Sequence, residues 1–387
     1  MIRGISHCWL CAVAAIALAA CGPPKQAAAP AAAATAAGSA VVTNEEKVLN
    51  VYNWTDYIAP DIVPAFEKEY GIKVNYDFYD SNDILQTKLL TGHTGYDIVV
   101  PTGSFGALEI KAGVFRMLDK SLLPNLKNID PDLAERMDPL DPGMKYAVNY
   151  FWGTGGVGYN VGKIKAAMPD APVDSLRMFY DPEVIRHFKS CGVMLVDEPR
   201  EIVSTVLLYL GRNGTSDRPE DLAAAEKVLM SIRPYVRYID NERYLDDLAN
   251  GEICLALGWS NDVLTAAVRA RETGNGNVIR YNIPKEGAVM FIDMMGIPVD
   301  SPHPKNAHLF INYLWRPEVS ARNSSFVHAA TSNAAAYPLI DPVVYNDRGI
   351  FPSPEIKARL IPDLPRSQAY TRLLTRMWAR FKTGRAQ

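Results

Sequence analysis

Five places in this chain set aromatic, hydroxyl or acidic side chains at the ends of strand-like runs: Trp54-Thr55-Asp56-Tyr57, Ser104-Phe105, Glu198 with Glu201, Trp259 with Asp262, and Phe291 with Asp293. All but Ser104-Phe105 include a carboxylate. Brought to one cleft, these residues would form an aromatic box carrying several negative charges. Such a box suits an organic cation, because π faces attract ammonium groups and carboxylates accept their charge-assisted hydrogen bonds, while an aliphatic stem fits between rings. Taken singly, each residue also has a purely structural role. A Trp at a strand end often packs in the core, an Asp after a strand often caps a helix, and Glu201 at a helix start complements the helix dipole. The histidines, among them His187, His308 and His328, are scattered without metal-ligand spacing, so neither a metal nor a cofactor is expected. The glycines of Tyr150-Phe151-Trp152-Gly153-Thr154-Gly155-Gly156-Val157-Gly158 could suggest a phosphate cradle, but no Lys-Ser/Thr follows Gly156. A flexible crossing between lobes fits that run better.

The elements that must position these residues alternate between strand and helix. Val48–Tyr52 reads as strand, 62–70 as a helix ending at Gly71, 72–78 as strand, 82–90 as an amphipathic helix, and Tyr96-Asp97-Ile98-Val99-Val100-Pro101 as a buried parallel strand. A second series follows, with strands at 193–196, 236–239 and 253–259 and helices at 200–210 and 219–232. The strand pattern returns over 278–295 and a helix over 307–314. Such alternation predicts an α/β fold, with sheets covered by helices and loops at the carboxyl ends of strands forming a ligand crevice.

At 387 residues the chain exceeds one ordinary core, which favours two lobes. Its 40 basic and 43 acidic residues leave a net charge of −3, too little positive charge to make nucleic acid a partner. Arg3 precedes an apolar stretch from Cys8 to Ala20, the form of a secretory signal, and the stretch ends Leu18-Ala19-Ala20-Cys21-Gly22. That ending is similar to the bacterial lipobox, in which the cysteine is acylated and begins the mature chain; a plain signal cut elsewhere is the alternative. Residues 1–20 are therefore expected to be a leader, Cys21 a lipid anchor holding the protein to a membrane in the periplasm, and the Ala/Pro-rich 21–45 a tether. Cys191 and Cys254 are the cysteines left in the folded region. They sit in one predicted lobe of an exported protein, so a disulfide between them is expected, with two buried thiols as the alternative.

The motifs Asn53-Trp54-Thr55-Asp56-Tyr57-Ile58-Ala59-Pro60, Phe66-Glu67-Lys68-Glu69, Gly71-Ile72-Lys73-Val74, Tyr96–Pro101 and Gly113-Val114-Phe115 resemble those of the polyamine-binding proteins of bacterial ABC importers. Lys189–Val193, Leu248–Cys254 with Gly258-Trp259, and Ile283–Ala288 continue the resemblance, which is strongest to the putrescine-binding branch. It implies a two-lobed periplasmic-binding-protein fold of type II, closing by hinge motion about a cleft. The lobes are expected to comprise 46–149 with 282–326, and 150–281 with 327–387. The resemblance places ligand contacts at Trp54, Thr55, Asp56, Thr102, Ser104, Glu201, Trp259, Asp262, Phe291 and Asp293; Tyr57, Phe105 and Glu198 adjoin them. Thr55 and Thr102 stand where the putrescine branch has serine. The tyrosine expected near the third crossing is absent from Val327-His328-Ala329-Ala330-Thr331. Glu198 stands where that branch has a small residue and the spermidine branch an acid, so a third ammonium could be accepted there. The implied protein is not an enzyme but a monomer that captures a polyamine, putrescine with spermidine as a further candidate, and hands it to a membrane permease. A sensor serving a membrane receptor, a binder of agmatine or cadaverine, and a secreted glycosidase using two strand-end carboxylates are the other readings.

Overall fold

Helix Ile62–Tyr70 (α1) buries Ile62 and Phe66 and stops at Gly71, whose φ of 64° is left-handed and whose N–H reaches Glu67 O. Glycine takes that conformation without a Cβ clash. α1 lies between β1 (Val48–Trp54) and β2 (Lys73–Tyr79); α2 (Asn82–Thr91), β3 (Ile98–Val99) and α3 (Gly103–Lys111) complete the expected β-α-β-α-β opening. β3 is shorter than the sequence suggested. Pro101, which lacks an N–H, follows it closely.

The computed structural model describes residues 44–384. The leader, the lipobox cysteine Cys21 and most of the tether lie outside that span. The Glu45 carboxylate accepts the backbone N–H groups of Lys305 and Asn306, at the start of the helix that begins at Pro304. Among the described residues no helix is long and apolar enough to cross a membrane.

β4 (Ala147–Asn160), β5 (Val193–Leu195), β6 (Tyr238–Ile239), β7 (Leu255–Trp259), β8 (Ile279–Asn282), β9 (Ala288–Gly296) and β10 (Leu360–Pro362) follow. The open sheet runs β2-β1-β3-β9-β4-β7-β5-β6, with β10 beside β9 and β8 beside β4. β1 is parallel to β2 and β3, and β5 is parallel to β6 and β7, whereas β4 is antiparallel to β7 and β9. Two parallel βα halves thus meet at an antiparallel centre. The helices that frame the second half and close the chain are α4 (Pro199–Tyr209), α5 (Pro219–Ile232), α6 (Tyr244–Asn250), α7 (Ser260–Glu272), α8 (Pro304–Leu314) and α9 (Gln368–Thr383).

β4 crosses between the halves, but as a paired strand and not as a loose glycine run. All 14 of its residues are buried; Ala147 to Asn149 and, past a bulge, Trp152 to Thr154 pair with β9, and Gly155 to Tyr159 pair with β7. Its glycines are sites of close approach. A Cβ on Gly153 would lie 2.5 Å from the Phe291 ring and one on Gly155 would lie 1.8 Å from Glu201 Oε1.

The halves have separate cores. Phe188, Val203, Leu229 and Leu255 belong to one; Leu49, Phe66, Phe310 and Met295 belong to another on the opposite side of β4. Burying each such side chain contributes about 1.5–3 kcal/mol. The tail packs in two places, a third core cluster and the second half's core. Ala336, Ile340, Phe351 and Leu360 pack with Leu133 and Met290, because β10 pairs with β9. From the tail, Tyr370, Leu374, Trp378 and Phe381 of α9 join the second core. Cys191 and Cys254 form a disulfide joining the turn before β5 to the start of β7.

Candidate functional site

A cavity of about 440 Å³ lies between the two halves. Trp54, Thr55, Asp56, Tyr57, Thr102, Glu198, Glu201, Trp259, Asp262, Phe291 and Asp293 line it. Element geometry accounts for their convergence. Trp54 ends β1 and the loop after it carries Thr55 to Tyr57; Thr102 precedes α3; Glu198 and Glu201 flank the start of α4; Trp259 ends β7 and Asp262 lies in the first turn of α7. Phe291 and Asp293 are two apart on β9, so the strand period sets them on one face.

Asp293 is 4% exposed. Tyr57 Oη donates to it over 2.7 Å and Thr102 Oγ1 over 2.9 Å. Burial nevertheless pushes its carboxyl up to about 7, against the pull of those two donors. Glu201 is likewise pushed by burial to about 7; it accepts the Trp259 indole N–H over 3.0 Å. Asp262 accepts from Tyr244 Oη over 2.7 Å and rises to about 6 through burial. Glu198 is pushed by burial to about 8. Burial makes each of these groups costly to ionise, and a bound cation would offset that cost.

Aromatic surface completes the wall. The Trp54 indole N–H is fixed on Val100 O at 2.9 Å, and its ring packs 4.5 Å from that of Tyr79. Trp259 lies edge-on to Tyr244, with ring centroids 6.5 Å apart. Nine carboxylates line the cavity against three guanidinium groups, Arg200, Arg243 and Arg269. The wall favours a cation.

Two residues expected at the site are placed otherwise. Ser104 is fully buried and does not line the cavity; its hydroxyl donates to Asp363. Phe105 is also absent from the wall and supports the Arg200 guanidinium, 4.3 Å above its ring. Sequence reasoning misses Asp363, which follows β10, because that strand is only three residues long and ends in proline. It also misses Arg269, which pairs with Asp56 at 2.9 Å and with Asp246 at 2.7 Å. Nothing in a helical run of arginines marks the one that meets a loop more than two hundred positions earlier.

The sequence matches the profile of the bacterial extracellular solute-binding proteins over residues 61–352. It is 49% identical over 344 residues to the putrescine-binding periplasmic protein SpuD of Pseudomonas aeruginosa (strain UCBPP-PA14), covering 88% of this chain and 93% of that one. To the putrescine-binding periplasmic protein PotF of Escherichia coli (strain K12) it is 45% identical over 343 residues, with coverage of 88% and 93%. Among solved structures, the spermidine/putrescine ABC transporter substrate-binding protein PotD of Streptococcus pneumoniae superposes with a TM-score of 0.73 at 26% identity, covering 88% of this chain and 100% of that one. The fold is the two-lobed one of periplasmic solute-binding proteins.

Proposed function

We propose that this chain, a member of the bacterial extracellular solute-binding protein family, captures a polyamine outside the cytoplasm and delivers it to the permease of an ABC importer. The cavity carries the reading: tryptophan and phenylalanine rings with nine carboxylates against three guanidinium groups form a box for a flexible dication or longer polycation. The names of its relatives, which refer to putrescine and spermidine, point to the same class. In this reading the ligand's methylenes lie among Trp54, Trp259 and Phe291. Asp293, Asp262 and Glu201 take its ammonium groups.

The residues then bind and orient; no bond is made or broken, and the protein is not an enzyme. β4, the β8–β9 link and the segment from β10 to α9 cross between the halves, and closure about them would exclude water and strengthen each ion pair. The closed form is what a permease would recognise. Cys21, acylated, would anchor the protein to a membrane, with the preceding leader removed.

Calorimetric titration of the chain from Glu45 onward with putrescine, cadaverine, agmatine, spermidine and spermine tests this, with glutamate as an acidic control. Saturable binding of at least one polyamine and none of glutamate is expected. Binding of glutamate, or of no amine, would sink the proposal.

A further inference from the structure

The segment 196–201 leads from β5 into α4 and brings Glu198 and Glu201 to the cavity. Glu198 occupies the N-cap position of α4, yet its side chain makes no capping bond. Where it and Glu201 point therefore depends on where the segment is pinned. Asp197, one residue earlier, carries the pins. Its backbone N–H donates to Asn241 Oδ1 at 2.7 Å, which ties the loop after β5 to the loop after β6. Its carboxylate is not part of the cavity wall. It meets the C-terminal helix instead: the Trp378 indole N–H donates to Oδ1 at 2.5 Å, and Lys382 Nζ donates to Oδ2 at 2.9 Å.

Both donors belong to α9, and no residue of α9 lines the cavity. The helix is nonetheless a firm mount. Tyr370, Leu374, Met377, Trp378 and Phe381 are buried, and the Arg233 guanidinium donates to Phe381 O at 2.8 Å and to Lys382 O at 2.9 Å. Arg380 pairs with Glu226 at 2.6 Å. A buried indole N–H needs an acceptor, but a neutral carbonyl would satisfy it. A carboxylate set next to Glu198 adds like-charge repulsion to a wall already rich in acids, and Lys382 neutralises it. What the carboxylate gains over a carbonyl is a second, charge-assisted tie to the same helix. Ligand groups keep their geometry only when the residues behind them are locked in this way.

We propose that Asp197 is a positioning residue: through Trp378 and Lys382 it fixes the segment bearing Glu198 and Glu201 to the C-terminal helix, so that an element outside the cavity wall sets polyamine affinity. The proposal rests on the polyamine reading above. Asp197 acts through its neighbours and touches no ligand itself.

Calorimetry with putrescine and spermidine tests this on the unaltered chain, Asp197→Ala, Asp197→Asn, Trp378→Phe and the double variant of Asp197→Ala with Trp378→Phe, each also melted. Asp197→Ala is expected to stay folded at the titration temperature and to bind both amines about tenfold more weakly. Trp378→Phe, which keeps a ring in the core and removes the donor, should weaken them about fivefold. Asp197→Asn, which still accepts the indole N–H, should bind about threefold more tightly than Asp197→Ala. The double variant should lie within about twofold of Asp197→Ala, because the two residues form one tie. Unaltered affinity in Asp197→Ala, whatever its melting temperature, would make Asp197 a strut between helix and sheet and overturns the proposal. A double variant whose loss is the product of the two single losses overturns it as well. If Asp197→Ala does not fold, Asp197→Asn and Trp378→Phe decide: weakened binding in both supports the proposal, and unchanged binding in either overturns it. Binding by the unaltered chain that these changes do not move rejects the role of Asp197 alone; failure of the unaltered chain to bind any amine rejects the polyamine reading and this proposal with it.

Discussion

Asp293 joins three parts of the chain: it belongs to β9, and its two oxygens are held by Tyr57 after β1 and by Thr102 before α3. Substituting asparagine leaves a side chain of the same shape that still accepts one of those hydroxyls, so the fold should survive. What is lost is the charge facing an ammonium group in a closed cleft, a term of about 2–5 kcal/mol. Asp293→Asn is therefore expected to retain its circular dichroism spectrum while polyamine binding falls below calorimetric detection. Unchanged affinity would reduce Asp293 to a packing residue that holds Tyr57. At this scale the sequence is readable where an acid and an aromatic ring sit together at a strand end, as in Trp54-Thr55-Asp56, Trp259 with Asp262, and Phe291 with Asp293. It fails where the direction of a short side chain decides the role. Ser104 looks like a ligand hydroxyl until β10, more than two hundred and fifty positions later, brings Asp363 against it.

β4 is the element on which the site is laid, and its sequence argues against it. Gly153, Gly155, Gly156 and Gly158 remove the β-branched signal by which a strand is recognised. The reason lies in the neighbours: Phe291, Glu201, Tyr281 and Val263 fill the space that side chains at those four positions would occupy. Amphipathic helices such as α1, bounded by Gly71, need only local information and are legible. A strand defined by what packs over it is not. Gly155→Ala puts this to a test. Its Cβ would meet Glu201 Oε1 at 1.8 Å, so Glu201 must move and give up the indole N–H of Trp259. The displaced group is the end of a flexible side chain, and the backbone at Gly155 does not have positive φ, so the cost should fall on the site more than on the fold. We expect polyamine affinity to drop by about tenfold, roughly 1.4 kcal/mol, with a melting temperature lowered by no more than about 4 °C. A large fall in melting temperature at unaltered affinity would show that Glu201 is a strut and not a ligand group.

Across the whole molecule, the two parallel halves were legible from alternating strand and helix patterns, but the route of the tail was not. β10 is three residues long and leaves little local trace, although it seats the tail against β9 and brings Asp363 to the cavity. The assembled cleft has a property that none of its segments has alone, a set of acids that resist ionisation. In the free protein, burial holds Asp262 at about 6 and Asp293 and Glu201 at about 7, above the range of about 4 for an unfolded chain. Between those limits the folded state binds more protons than the unfolded one. These groups therefore contribute stability that is fully present below about pH 4 and is lost as pH rises through about 6 to 7. A bound polyamine reverses the preference, because its ammonium groups stay charged across this range and favour the carboxylates. Binding must then release protons wherever the free site still holds them, and affinity must rise with pH. Melting curves from about pH 5 to about pH 7.5, with and without saturating ligand, should show the cleft acids weakening the free protein as pH rises, while the ligand-induced increase in melting temperature grows. Calorimetry near pH 6 in buffers of different ionisation enthalpy should register the released protons directly. A ligand-induced shift that is flat or declining over this range, with no proton release, would mean that the carboxylates are already ionised in the empty cleft and that burial does not govern the site.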